Sequence, residues 1–180
     1  VRNEQSGIIG TIHYSYGNTD LFAPITTPES LDINRMLREM IEHKIRQCFL
    51  EISSHSLVLK RVHGMHFAVG IFTNLSRDHL DFHGTWDQYF SAKARLFEGL
   101  DKEGVAVINT DDPMAAELAQ RTSGRVVTYG FDSEAEIRLK EAVPESVLSA
   151  RFFPRTDPEK NLAPPLINGR SKKNVNISFR

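Results

Sequence analysis

Val105-Ala-Val-Ile-Asn109, Thr110-Asp-Asp-Pro-Met-Ala-Ala-Glu-Leu-Ala-Gln120 and Val126-Val-Thr-Tyr129 follow one another closely in the chain. The first and last are apolar runs of strand length, rich in β-branched residues. Between them the spacing predicts a helix from Asp112 to Gln120, opened by Asp112-Pro113. A strand, a short helix and a second strand in so few residues form a βαβ unit, which implies parallel strands with a helix packed on the sheet.

The same alternation extends outward. Further buried strands are predicted at Gly7 to Ile12, Cys48 to Ile52 and Phe67 to Thr73. Ile33, Met36, Leu37, Met40 and Ile41 recur with helical period and give one apolar face. Thr26 and Glu29 have the spacing of a capping box, with Pro28 in the expected first turn. A second helix, from about Thr85 to Leu100, carries Trp86, Tyr89, Phe90, Leu96 and Phe97 on one stripe. From Ala135 the texture changes to short alternating segments such as Ile137, Leu139 and then Val147, Leu148 and Phe152, which predict an antiparallel edge. The last 37 residues hold five of the eight prolines, as an irregular tail does. The expected fold is α/β: a mostly parallel sheet flanked by helices, with a short antiparallel edge and an irregular tail.

Composition narrows the function. With 180 residues, 40% hydrophobic and 25% charged, the chain has the make-up of an ordinary globular domain. A formal net charge of -1 argues against a protein built to neutralise nucleic-acid phosphate. The single cysteine, Cys48, excludes an internal disulfide framework; it reads as a small core residue in a reducing compartment. No segment reaches the ~20 apolar residues of a membrane helix, and no signal peptide is evident, so a soluble cytoplasmic protein is expected.

In open α/β sheets, ligands bind beyond the carboxyl ends of the strands. The run ending at Ile52 is followed by Ser53-Ser-His55 and includes Glu51; the run ending at Thr73 is followed by Asn74-Leu-Ser-Arg-Asp-His79; the run ending at Asn109 is followed by Thr110-Asp-Asp112. Three neighbouring edges are thus expected to offer carboxylates, imidazole and amide oxygen to one crevice, which suits a hard divalent cation and a phosphate-bearing substrate. The ordinary alternative for Glu51 alone is a solvated or ion-paired strand-end carboxylate. His79 and His83 are four apart, a spacing zinc can use on a helix, but no third ligand is spaced to match. His13, His43, His63 and His66 read as surface or loop residues.

Lys93 falls on the apolar stripe of Trp86, Tyr89, Phe90 and Phe97. An ammonium group there must snorkel, pair or be chemically altered. A snorkelling side chain is one reading; a reactive amine directed at the crevice is the other. The chain contains neither G-x-x-x-x-G-K-[ST] nor G-x-G-x-x-G, so it lacks a recognisable phosphate cradle.

Thr73-Asn-Leu-Ser-Arg-Asp-His-Leu-Asp-Phe-His-Gly-Thr85, followed by Tyr89-Phe-Ser-Ala-Lys-Ala-Arg-Leu-Phe97, resembles the Mur ligase family. Thr26-Thr-Pro-Glu-Ser30, Glu51-Ile-Ser-Ser-His55 and Val107-Ile-Asn-Thr-Asp-Asp-Pro113 fall in that family's order and spacing. The nearest branch adds the third amino acid, diaminopimelate or lysine, to UDP-N-acetylmuramoyl-L-alanyl-D-glutamate during peptidoglycan precursor synthesis, in the service of cell shape and division. The resemblance implies an ATP-dependent ligase that forms an amide bond through an acyl phosphate. It gives Glu51 and His79 the role of Mg2+ ligands and makes Lys93 a catalytic lysine, carbamylated by carbon dioxide and serving the same metal. Thr26, Thr27, Ser53 and Arg61 resemble residues that hold the UDP-muramyl peptide, and Asn109 and Asp111 those that approach the adenosine of ATP. The implied partners are the UDP-N-acetylmuramoyl dipeptide, ATP and a diamino acid, with no nucleic acid or membrane, in an enzyme monomeric at full length.

The resemblance runs from about Gly7 to Gly130 and fades past Val143, which divides the chain into residues 1–143, a partial central ATPase domain, and a divergent segment and tail at 144–180. The family's phosphate loop is expected just upstream of Val1, so the chain resembles a truncated product with little or no ATP turnover of its own. Ile25 stands where Asn is usual, Leu59 where Gln is common, and Pro164-Pro-Leu-Ile-Asn-Gly-Arg170 departs from the family's Pro-Leu-Ile-Gly-Arg-Phe-Asn. Two other readings remain open: a sister ligase such as folylpolyglutamate synthetase, and a non-catalytic remnant that binds a ligand or partner.

Overall fold

The computed structural model describes residues 6–76, 79–131, 134–143, 149–154 and 175–176. Arg77 and Asp78 of the motif before His79 lie outside the described residues, as does the segment 164–170. By contacts the chain divides into two compact units, one of residues 1–65 and 77–96, the other of 66–76 and 97–180.

The first unit contains a four-stranded sheet. Strands β1 (Ser6–Ile9), β2 (His13–Tyr16) and β3 (Thr19–Phe22) form an antiparallel meander, and β4 (Gln47–Leu50) pairs with β1 in parallel, giving the order β3-β2-β1-β4. Tyr16 faces Thr19 across a two-residue turn in which Gly17 takes φ +57. A glycine at the first turn position meets that requirement without a Cβ penalty. Helix α1 (Ser30–Glu42) connects the meander to β4. Its Met36 and Met40 join Ile9, Tyr14, Tyr16, Ala23 and Ile45 in the core, with Leu37, Cys48 and Leu50 packed against it. Burial pushes the Cys48 thiol above its ordinary pKa, in keeping with a core residue rather than a nucleophile.

Two details of this helix differ from expectation. It starts at Ser30 with Glu29 as N-cap and no side-chain capping bond, so Pro28 precedes the first turn and no capping box forms. The Glu29 carboxylate is drawn instead to the Arg61 guanidinium, 2.7 Å away, and a charge-assisted contact of that kind outcompetes a local cap. Ile41, counted on the apolar face, is 69% exposed, because burial narrows to the rows of Ile33, Met36 and Met40.

The second unit holds the βαβ unit. Strands β5 (Val69–Phe72), β6 (Val105–Asn109), β7 (Arg125–Gly130) and β8 (Ile137–Val143) run parallel, and β9 (Ser149–Pro154) and β10 (Val175–Asn176) add the antiparallel edge. The order is β10-β9-β8-β7-β6-β5. Between β6 and β7 lies the short helix α5 (Ala115–Gln120). The remaining helices are α2 (Ser54–Val58), α3 (Leu80–His83) and α4 (Trp86–Glu98). On α4, Tyr89, Phe90 and Phe97 are buried as the stripe predicts.

Thus β4 is not a hydrogen-bonded neighbour of β5 and β6, and the expectation of three adjacent strand ends is corrected. An apolar run marks a strand but carries no information about which partner it takes.

Candidate functional site

In the first unit the turn after β4 is held by a knot of hydroxyls. Thr27, 1% exposed, donates its Oγ1 hydrogen to the Glu51 carbonyl at 2.9 Å and accepts from the Ser53 N–H at 2.9 Å. Ser53 then caps α2 by accepting from the Ser56 N–H at 3.2 Å. The Arg61 guanidinium donates to the Thr27 carbonyl at 3.0 Å, and its Nε is buried with no hydrogen-bond partner among the described residues. Thr26 is half-buried, its hydroxyl 3.1 Å from that of Thr11. Thr11 in turn gives both its N–H, at 2.8 Å, and its hydroxyl, at 2.7 Å, to Oε2 of Glu51. Sequence reading missed Thr11; a lone threonine within the run Gly7 to Ile12 has no distinguishing signal.

Replacing the buried Thr27 with the near-isosteric valine is expected to lower stability by about 1–3 kcal/mol, because the part-buried Ser53 N–H and Glu51 carbonyl both lose this partner. Urea denaturation of the two proteins measures it. A loss below ~0.5 kcal/mol contradicts the assigned role.

His79 precedes α3 as its N-cap, in the left-handed conformation with φ 57. Its ring meets that of His55 edge-on at 5.0 Å and lies 6.1 Å from that of Tyr89. Lys93, half-buried on α4, places Nζ 5.4 Å from the Tyr89 ring centroid, within cation–π range. Tyr89 is therefore a common neighbour of His79 and Lys93. His83 is 8% exposed and its Nε2 lies 2.8 Å from the Ser54 hydroxyl, with Ser54 itself 2% exposed. This is a satisfied internal pair, not a zinc arrangement. Among the described residues no three His, Cys, Asp or Glu side chains cluster as a metal cage.

Burial, and then the neighbouring His55 and His79, push the His83 pKa below its ordinary 6.5, with Asp81 opposing and Arg95 reinforcing. The unfolded chain therefore binds a proton near pH 6.5 that the folded chain refuses. The contribution of His83 is thus fully present above that pH and is lost as pH falls from there through the lowered folded value. The thermal midpoint is expected to drop between pH 7.5 and 5.5, and His83→Phe to flatten that slope. An unchanged slope in the variant contradicts the assignment.

Asn109 and Asp111 belong to the second unit. Asn109 donates from Nδ2 to the Thr73 carbonyl at 2.8 Å and accepts from the Asp111 N–H at 3.0 Å. The Asp111 carboxylate accepts from the Phe131 N–H at 3.0 Å. A Cβ added to Gly130 falls 2.8 Å from that carboxylate and 2.7 Å from the Thr110 hydroxyl, so a side chain there would have to displace them. Asp112 is 8% exposed, accepting from the N–H groups of Leu75 at 2.6 Å and Met114 at 2.8 Å. A cavity of about 300 Å³ opens in this unit, lined among others by Ile108, Thr110, Pro113, Ala116 and Thr128.

The family model described as the Mur ligase middle domain matches residues 1–166. Among curated proteins, the UDP-N-acetylmuramoyl-L-alanyl-D-glutamate–2,6-diaminopimelate ligase of Geobacter metallireducens is 43% identical over 139 residues, covering 74% of this chain and 27% of the relative. The protein of the same name from Chlamydia caviae is 40% identical over 136 residues, covering 76% of this chain and 28% of the relative. A solved structure of a ligase of that name matches with a TM-score of 0.67 and 30% identity, over 78% of this chain and 29% of that one. The chain therefore spans less than a third of the length of these relatives. Among the described residues, no helix is long and apolar enough to cross a membrane.

Proposed function

The chain belongs to the Mur ligase middle-domain family, and on that premise we propose that it forms the central part of an ATP-dependent ligase. The reaction is addition of the third amino acid to UDP-N-acetylmuramoyl-L-alanyl-D-glutamate in the cytoplasm. Residues 1–143 are the part of the ATPase domain present, and 144–180 its edge and tail. The names of the relatives favour diaminopimelate as the incoming residue.

The observation that carries this reading is the hydroxyl knot of the first unit. Thr27 bonds to the backbone of both Glu51 and Ser53, and Thr11 links the Glu51 carboxylate to Thr26. Residues assigned to the acceptor and a residue assigned to the metal thus belong to one hydrogen-bonded assembly. Thr26, Ser53 and Arg61 are the residues assigned to contact the acceptor, Arg61 supplying positive charge for its carboxylate or phosphate. The buried Thr27 acts by shaping the turn.

Glu51, His79 and a carbamate on Lys93 would hold Mg2+. A donor set this small fits a cation that keeps several waters and is completed by substrate phosphates. Mg2+, when bound, supplies neutralisation of charge at the transferring phosphoryl group. Both Thr11 bonds fall on Oε2 of Glu51. Asn109 and Asp111 are assigned to the adenosine, beside the cavity of the second unit. In the reaction the acceptor carboxylate takes the γ-phosphoryl group of ATP and releases ADP. The amine of the diamino acid then attacks the acyl phosphate, phosphate leaves, and the nitrogen loses a proton. Positioning and charge neutralisation carry the acceleration.

The test is exchange: this chain replaces the corresponding segment of the Geobacter metallireducens relative, and ligation is assayed with the muramyl dipeptide and with folate acceptors. Transfer of diaminopimelate to the muramyl dipeptide supports the reading. A folded chimaera that leaves the dipeptide unmodified, or that extends a folate, contradicts it.

A further inference from the structure

Ser54 and His83 are buried polar side chains outside the machinery described so far. Ser54 opens α2 directly after Ser53 and three residues after Glu51; His83 closes α3, which starts immediately after His79. Their hydrogen bond, 2.8 Å between Nε2 and Oγ, spans 29 residues of sequence at positions 2% and 8% exposed. A buried hydroxyl and a buried imidazole are satisfied only while the bond is intact, so the two segments that carry them cannot separate without stranding both. Packing adds a second tie. The His55 ring stacks against Phe82 at 4.0 Å, meets His83 at 5.6 Å and His79 at 5.0 Å. His79 itself is exposed and begins from a left-handed backbone, so its ring depends on these neighbours for its direction.

We infer that the Ser54–His83 hydrogen bond is a clasp that holds Glu51 and His79 at the separation a divalent cation requires, His83 serving as a positioning residue and not as a ligand. The inference rests on the assignment of Glu51 and His79 to the metal. Partners that orient metal ligands typically change metal affinity by about 10- to 100-fold when removed. A clasp also makes an ordering that packing alone does not. Gln can reach the position of Nε2 and keep the bond to Ser54, whereas Phe keeps the ring volume and loses the bond.

The experiment is titration of this chain with Mn2+, as a paramagnetic probe of the Mg2+ site, followed by broadening of the histidine ring NMR signals. The chain is expected to show saturable broadening at His79 that Glu51→Gln abolishes. His83→Phe is expected to bind Mn2+ about 10- to 100-fold more weakly, and His83→Gln to stay close to the unsubstituted affinity. Should His83→Phe lose its fold, Ser54→Ala removes the same bond from the other side and carries the same expectation. Unchanged affinity in the folded clasp variants, with binding abolished in Glu51→Gln, overturns the clasp and leaves the metal assignment standing. No saturable binding, or full binding in Glu51→Gln, overturns the metal assignment and the clasp with it.

Discussion

Lys93→Ala, introduced into the chimaera with the Geobacter metallireducens relative, is expected to lower the rate of ligation by at least about 100-fold, the scale on which loss of one preorganised charged group slows a reaction. Lys93 sits half-buried on α4 with Nζ over the Tyr89 ring, whose other aromatic neighbours include His79. As an ammonium it would bring positive charge to a site assigned to a cation. Reaction of the neutral amine with carbon dioxide forms an N–C bond and releases a proton, turning the side chain into an anionic carbamate suited to a metal. Lys93→Arg is expected to be as slow as Lys93→Ala, because the guanidinium keeps its charge and forms no carbamate. Formate or acetate should partly restore Lys93→Ala by placing a carboxylate in the vacated space, while leaving Lys93→Arg slow. Full activity in either variant removes the carbamate role and leaves the cation–π lysine as a structural residue.

Asp112→Ala is expected to lower stability by roughly 2–4 kcal/mol. Each of its two carboxylate oxygens accepts one backbone N–H, from Leu75 after β5 and from Met114 ahead of α5, at a position 8% exposed. Truncation strands two donors, and a stranded buried donor costs about 1–3 kcal/mol. Asp112→Asn keeps one acceptor and should cost about half as much. Urea midpoints of the three proteins provide the measurement. A loss below ~1 kcal/mol in Asp112→Ala would show that water satisfies these amides and that Asp112 does not tie the two loops together.

Much of this was legible in the sequence where the relevant interactions are local. Val105–Asn109, the helix behind Asp112-Pro113 and the strand at Arg125–Gly130 form the βαβ unit their periodicity predicts. Glu51, His79 and Lys93 were legible as unusual because they break an apolar pattern or follow a strand. The hairpin of β2 and β3 was overlooked although Gly17-Asn18 is a two-residue turn signal, because Tyr14 and Tyr16 alternate with polar residues over only four positions. What sequence could not carry was pairing at a distance. The departure of Glu29 from its cap is decided by Arg61, 32 residues away, and the place of β4 by β1. The spacing of His79 and His83 suited zinc but offered no third ligand, and it left His83 without a role, since its partner, Ser54, lies in a different motif.

The central claim is that the first unit carries the acceptor site of a muramyl-peptide ligase. Isothermal titration of this chain with UDP-N-acetylmuramoyl-L-alanyl-D-glutamate, and separately with Mg-ATP, tests it most directly. The account predicts saturable binding of the muramyl dipeptide without ATP, weakened in Arg61→Lys, where the charge remains but the two-pronged donor is lost. Binding of Mg-ATP with no binding of the muramyl dipeptide would contradict it.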